Sequence, residues 1–295
     1  MAPAASAARA TASPVACRLC GDSRARALFV KRGWTFVRCE GCGLVSLHPL
    51  PTPDDAASHY ESSYRDGSYA TFAAADDIRD EIARHRLAVL RSLAGTGPWL
   101  DVGCSTGAFI AAATAAGLDA EGLELSAAAV GQARARGLRV HQGAVEDFTP
   151  RRRYAVITGF DVVEHLLDPA ALIERVATWL DDDGLLALTL PDIASLPARL
   201  MGRHWYYYLP PEHIHYFTPS TVRRLLERAH LRDITIRTAF KPLTLDYATA
   251  GLKHLAPALG RVAGAVTTVL PRGLLRRRLL LPLGEMLVTA RPALR

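Results

Sequence analysis

Residues 101–107 read Asp-Val-Gly-Cys-Ser-Thr-Gly, and they fall where a short apolar run at 98–103 gives way to an alanine-rich helical pattern at 108–117. Such a turn puts backbone, not side chains, at the carboxyl end of a strand. Gly103 and Gly107 permit a tight turn and a close approach to a ligand. Asp101 offers an acceptor to a cationic or polar group. The surrounding pattern extends the reading. Strand-like segments at 98–103, 119–125, 138–143, 154–160 and 185–191 alternate with helical segments at 76–95, 108–117, 127–137, 168–184 and 219–230. Ser126 is placed to cap the helix that follows it. Strands alternating with helices predict an α/β fold with a parallel sheet and crossover helices. Ligands of such sheets bind outside the carboxyl ends of the strands.

The second strand ends in Gly-Leu-Glu-Leu-Ser, which puts Glu124 at the next strand end. A carboxylate there can take both hydroxyls of a ribose. On residue pattern alone, a dinucleotide site shares this appearance.

Four of the five cysteines, Cys17, Cys20, Cys39 and Cys42, are spaced C-x2-C-x18-C-x2-C. That spacing predicts a zinc ribbon. Gly21, Gly41 and Gly43 supply the backbone freedom that cysteine knuckles need. Four thiolates leave no open coordination position, so the expected zinc is structural. Two disulfides are the competing reading; they suit an exported chain, and residues 1–14 lack the apolar core of a signal peptide. The expected divisions are a disordered tail at 1–14, a zinc-ribbon module at 15–50, a linker or aromatic lid at 51–75, and an α/β domain at 76–295. Tyr60, Tyr64 and Tyr69 lie in the lid; Tyr64 is taken as a candidate at the site, with packing between the two units as the alternative.

The net charge of +6 is unevenly placed. Residues 241–295 carry nine Lys/Arg against Asp246 and Glu285, the cysteine module is also basic, and the middle of the chain is acidic. Basic ends suit nucleic acid, an anionic membrane surface or a phosphorylated substrate. The acidic middle opposes a continuous nucleic-acid track. No apolar run reaches the roughly 20 residues that span a bilayer, and a cytoplasmic location is expected.

The cysteine pattern, "LDVGCSTG", "GLELS", "GFDVVEHLLDP" and "PPEHIHYFT" together resemble the class I S-adenosylmethionine-dependent methyltransferases. Within them the chain looks most like the bacterial branch with an N-terminal zinc-binding region, which includes sugar C-methyltransferases and proteins from polysaccharide gene clusters. The resemblance covers roughly residues 15–240 and the last strand. It implies a Rossmann-like sheet of seven strands with the last pair antiparallel, S-adenosylmethionine as cofactor, and a small-molecule acceptor, with a sugar, nucleotide-linked or lipid-linked, as the reading. The implied cofactor set is Asp101, Gly103, Cys104, Ser105, Gly107, Glu124 and Asp161. Asp101 and the glycines would hold the methionyl part and Glu124 the ribose. Cys104 would be a small buried filler, and Ser105, where the family has a third glycine, is tolerated if it keeps φ negative. Near the adenine, position 144 is alanine, which leaves Glu146, Asp147 and backbone groups as candidates.

Methyl transfer needs a nucleophile in line with the methyl group and, where required, a base. The aromatic stretch 204–217 contains Glu212, His213 and His215. The resemblance carries the role of base to His213, with Glu212 orienting or tuning it, while His215 points away if the segment is extended. Asp161, Glu164 and His165 form a second cluster. Some O-methyltransferases of quinones and RNA termini hold a divalent ion with a similar acid-acid-His pattern and a distal His, which here would be His213.

Residues 243–282 separate the last two strands and are rich in Leu, Ala and Arg. They are expected to form a helical insertion that packs on the domain or on a second copy, or that makes peripheral contact with the inner membrane face. Two rival functions remain at this level: an RNA methyltransferase using the basic ribbon, and a non-catalytic cofactor-binding scaffold.

Overall fold

The computed structural model describes residues 16–52, 55, 76–244, 264, 271 and 278–293. The expected tail at 1–14, and Tyr60, Tyr64 and Tyr69 of the expected lid, lie outside them.

The larger sheet has seven strands. They are β4 (Trp99–Val102), β5 (Ala120–Glu124), β6 (Val140–Gln142), β7 (Tyr154–Phe160), β8 (Leu180–Pro191), β10 (Leu231–Thr244) and β11 (Arg278–Pro292). Their order is β10-β11-β8-β7-β4-β5-β6. The five strands from β8 to β6 run parallel, and β11 lies antiparallel between β8 and β10. This is the expected seven-stranded arrangement with an antiparallel last pair. Strands β4 and β5 are buried along their whole length, as strands covered on both faces must be. The covering helices are α1 (Asp76–Arg91), α2 (Ala108–Ala115), α3 (Ala127–Ala135), α4 (Pro169–Trp179) and α6 (Pro219–Arg228). Ser126 caps α3 by accepting the Ala129 N–H. Asp168 does the same for α4 through Ala171.

Two boundaries differ from the sequence reading. Helix α4 stops at Trp179 and the strand starts at Leu180, so 181–184 are strand, not helix. The positions that would extend the buried stripe of Ile173, Val176 and Trp179 are Asp183 and Gly184, which offer nothing to bury. The expected helical insertion at 243–282 is corrected at both ends. The β10–β11 hairpin pairs out to Thr244 and Arg278, beyond the stretch 285–290 where β11 also pairs with β8. Residues 245–277, apart from 264 and 271, are outside the described residues.

The cysteine module forms β1 (Ala25–Lys31), β2 (Trp34–Cys39) and β3 (Val45–His48). Its fourth strand comes from the other end of the chain. Strand β9 (His215–Tyr216) pairs antiparallel with β3. Phe36, Val45 and Leu47 share one buried cluster with Trp205, Tyr208, Tyr216 and Ala198. The last belongs to α5 (Leu196–Met201). The module is therefore one wall of the domain. Among the described residues, no helix is long and apolar enough to cross a membrane.

Candidate active site

The turn after β4 is held from two sides. The N–H groups of Gly103 and Cys104 donate to the Leu123 carbonyl at 2.8 and 3.2 Å. Glu124, 1% exposed, accepts the Ser105 N–H at 2.9 Å on one oxygen and the Ser126 N–H at 2.7 Å on the other. A carboxylate has about four acceptor sites, so these two bonds are compatible with a ribose diol at Glu124. Gly103 and Gly107 have φ of +69° and +81°. A Cβ on Gly103 would lie 2.6 Å from a methyl of Val162, so this glycine is required by both conformation and space. Ser105 also sits in the left-handed region, at φ +50°, which overturns the expectation of a negative φ. In that geometry its backbone N–H reaches Glu124.

Asp101 is 5% exposed and accepts a hydrogen bond from Thr158 at 2.6 Å. Burial raises its pKa to about 7, against the lowering effect of the Thr158 bond and the Arg86 charge. A buried carboxyl with this cost is suited to a cationic ligand. Cys104 fills the space over Gly122, where a Cβ would meet its Sγ at 2.4 Å. Burial pushes its thiol far up, as suits a filler. Glu146 and Asp147 are exposed in the turn after β6.

Asp161 follows β7, with φ +57°. It is bound by Arg86 of α1 at 2.8 Å and by Thr189 at 3.1 Å, and lies 4.0 Å from Lys241. Burial opposes its charge, but Lys241 and Arg86 hold its carboxyl well below the usual range. The Arg86 guanidinium also lies 4.4 Å over the Phe160 ring and reaches Thr189 at 2.9 Å. Lys241 contacts Glu285, which is 2% exposed and also takes the Tyr207 hydroxyl. Tyr207 was expected only as one aromatic of the stretch 204–217, and Arg86, Thr189, Lys241 and Glu285 were not expected at the site, yet they bring α1, β8, β10 and β11 to one spot beside the Gly-rich turn. Asp161, expected as a cofactor contact, is the hub of this network.

Next to it, the 3-10 turn Val163–His165 carries Glu164 and His165 toward His213. Their metal-competent atoms lie within 4.8 Å of one another. His213 Nδ1 is 2.9 Å from the Tyr207 carbonyl, and His165 Nδ1 is 2.9 Å from the Glu212 carbonyl. A carbonyl only accepts, so each Nδ1 carries a proton, and a neutral His213 presents a lone pair on Nε2. Burial, then the neighbouring His165, keeps the His213 pKa well below its ordinary value, so the imidazole is neutral. The expectation that Glu212 orients His213 is corrected: the Tyr207 carbonyl sets His213, and the Glu212 backbone sets His165. Glu164 is 1% exposed, and neither oxygen has a hydrogen-bond partner among the described residues. Burial, then the charge of Asp161, raises its pKa well above the usual carboxylate range. His215 points away, as expected of an extended segment, and bonds Ser46.

The four cysteines of the module converge at the other end of β3. Their sulfurs lie within 4.8 Å of one another, with Cys17–Cys42 and Cys20–Cys39 each at 3.5 Å. A tetrahedral zinc with bonds of about 2.3 Å would separate its sulfurs by about 3.8 Å, so the set fits that ion. Gly21 and Gly43 turn each knuckle at φ +78° and +83° and donate to the Cys17 and Cys39 carbonyls.

A family model described as "Methyltransferase domain" matches residues 73–236. Among curated proteins, the ubiquinone biosynthesis O-methyltransferase of Nitrobacter winogradskyi is 30% identical over 112 residues, which cover 36% of this chain and 39% of that protein. The protein of the same name from Aromatoleum aromaticum is 24% identical over 163 residues, 50% of this chain and 70% of that protein. The chain thus spans well under half the length of the Nitrobacter relative it matches. Among solved structures, a SAM-dependent methyltransferase from Thermotoga maritima aligns with TM-score 0.51 at 14% identity, over 80% of this chain and 97% of that one. Another from Archaeoglobus fulgidus aligns with TM-score 0.51 at 18% identity, over 75% and 99%. These two likenesses concern the fold, and they agree with the seven-stranded sheet described above. With its Gly-rich turn, its acidic second strand end and the match at 73–236, the chain belongs to the methyltransferase domain family and has the class I methyltransferase fold.

Proposed function

We propose that the protein is an S-adenosylmethionine-dependent methyltransferase acting on a small-molecule acceptor, with His213 as the acceptor-side base. The observation that carries the reading is the turn 101–107, pinned through Ser105 to Glu124 at the carboxyl ends of β4 and β5. The residues fit the cofactor: Asp101 is a carboxyl whose burial raises its pKa to about 7, a cost a cationic ligand would offset, and Gly103 leaves no room for a side chain. When bound, S-adenosylmethionine supplies an electrophilic methyl group. Asp101 would hold the ammonium and Glu124 the ribose hydroxyls. His213 offers Nε2 to the acceptor proton because its Nδ1–H is committed to the Tyr207 carbonyl. The Tyr207 ring lies 6.1 Å from the imidazole and nearly parallel to it, forming an aromatic wall. A sugar, nucleotide-linked or lipid-linked, suits an aromatic ring set beside a neutral imidazole.

A second reading draws on Glu164. A buried carboxyl with two unpartnered oxygens beside two imidazoles is a donor set for a divalent cation. His213 would then be a ligand, and the acceptor an oxygen nucleophile, in keeping with the O-methyltransferase names of the curated relatives. Incubating purified protein with methyl-labelled S-adenosylmethionine and a cell extract, then separating nucleic acid, lipid and small molecules, tests the function. Label in small molecules or lipid supports it; label in RNA overturns the acceptor class. Metal analysis separates the two readings: a second equivalent, removed by His213→Ala and not by cysteine substitution, favours the cation.

A further inference from the structure

We infer that the four-cysteine module is a positioning component of the acceptor site, with Ser46 and His215 as positioning residues; the inference rests on the reading of His213 as an acceptor-side group. The connection runs through Ile214. Its carbonyl accepts the Leu47 N–H of β3 at 3.0 Å, and its own N–H donates to the Glu164 carbonyl at 2.8 Å. One residue thus ties the cysteine module to the turn bearing Glu164 and His165, and it is the neighbour of His213.

His215 repeats the connection with its side chain. Nε2 lies 3.4 Å from the Leu167 carbonyl, so it carries the proton and Nδ1 is an acceptor. Ser46 Oγ, 2.8 Å from Nδ1, is therefore the donor. His215 is 1% exposed, so these two bonds are shielded from water. Ladder pairs Val45–Tyr216 and Ser46–His215 complete the contact. The Tyr216 hydroxyl then donates to the His213 carbonyl at 2.8 Å. These β3 pairings, on the residues that follow His213, thus act beside the bonds made within the loop itself, from the His213 N–H to the Leu209 carbonyl and from His213 Nδ1 to the Tyr207 carbonyl.

Strand β3 cannot hold that place by itself. It has four residues and begins three after Cys42. Its entry is fixed by the knuckle, where the Cys39 N–H donates to the Leu44 carbonyl and the Gly43 N–H to the Cys39 carbonyl. A metal on the four sulfurs would cross-link the two knuckles that frame the module. Arg224 and Arg228 of α6 reach the Gly41 and Leu19 carbonyls, so the same knuckles are clamped to the domain. The cofactor turn is held separately, by β5 through Leu123 and Glu124. Loss of the cysteine-bound metal is thus expected to loosen the acceptor side and spare the cofactor side.

The test uses the full chain, zinc-loaded and chelator-stripped, with amide hydrogen exchange followed by mass spectrometry and S-adenosylhomocysteine affinity by calorimetry. Exchange at 163–167 and 212–217 should accelerate by at least about tenfold on stripping, with 99–107, 120–126 and the affinity unchanged. Exchange that changes only within 16–48, or four thiols that take no zinc, overturns the inference. A second arm avoids the cysteines. Ser46→Ala should lower kcat by about tenfold at unchanged S-adenosylhomocysteine affinity, and Ser46→Thr should restore it; wild-type turnover in Ser46→Ala overturns the positioning role. The exchange arm needs no turnover, so an intact protein that transfers no methyl group refutes the proposed function separately.

Discussion

Replacing Asp101 by asparagine isolates the electrostatics of the cofactor turn. The carboxyl is buried and its pKa is raised from 3.8 to about 7. Keeping it ionised well above pH 7 therefore costs the fold about 4 kcal/mol. Because the folded value is raised, the carboxyl's contribution to stability is complete below the unfolded value and is lost as pH rises through about 7. Asparagine is neutral throughout, and its Oδ1 can still accept the Thr158 hydroxyl. At pH 8 the variant should be more stable than the wild type, by up to about 4 kcal/mol, and the difference should shrink toward pH 5. The ligand side has the opposite sign. An ammonium beside Asp101 favours the ionised form, so wild-type affinity for S-adenosylhomocysteine should weaken about tenfold between pH 8 and pH 6 as the free carboxyl takes up its proton. The asparagine variant should bind far more weakly, with no such slope. Denaturation at both pH values and calorimetric titration read the two effects. Equal affinity of variant and wild type, or a flat wild-type profile from pH 8 to pH 6, would refute the assignment of Asp101 to the cofactor's ammonium.

Three other substitutions probe the remaining parts of the site. His213→Ala should lower turnover by about 10²–10⁴-fold at unchanged S-adenosylhomocysteine affinity; because burial and His165 depress its pKa, the wild-type rate should show no acid limb near the ordinary histidine value, and a limb there would contradict the buried neutral base. Lys241→Met leaves Glu285 and Asp161 without a cation they share, at a cost of about 3–5 kcal/mol in urea denaturation if the pair is ionised; a loss below about 1 kcal/mol would mean that burial, which raises the Glu285 pKa and lowers that of Lys241, leaves the pair neutral. Ser105→Gly relieves a left-handed serine and should stabilise the protein by about 0.5–1 kcal/mol, and a destabilised variant would show that the serine side chain matters more than its φ.

The parts of the site that were legible in the sequence are those that short-range chemistry dictates. Gly103, Gly107, the Ser126 cap and the cysteine knuckles each obey a local rule. The Ser105 conformation did not follow from such a rule, since its backbone N–H bonds Glu124, a long-range partner. Nor did the tie of His213 to Tyr207, because a backbone carbonyl leaves no mark on residue type. Strand β9 has two residues, too few for any periodicity, so the joining of the cysteine module to the acceptor loop was hidden as well. Arg86, Lys241 and Glu285 were missed for a different reason. Arg86 lies in a helix dense in charge, where it reads as solvated surface. Lys241 and Glu285 lie far apart in sequence and meet only because β11 runs antiparallel between β8 and β10, which sets Glu285 opposite Pro191 at the site end of the sheet. Their signal was nevertheless present as a conflict between levels. Glu285 is the one acid in an otherwise apolar pattern, "LLLPLGEMLV", and Lys241 follows directly on "RDITIRTAF", the strand expected to pair with "GEMLVTARP". A strand buried on both faces cannot keep an acid without a cation. Once those two segments are read as a hairpin, the acid in one requires the lysine in the other, and the pair marks the end of the sheet where the chemistry sits.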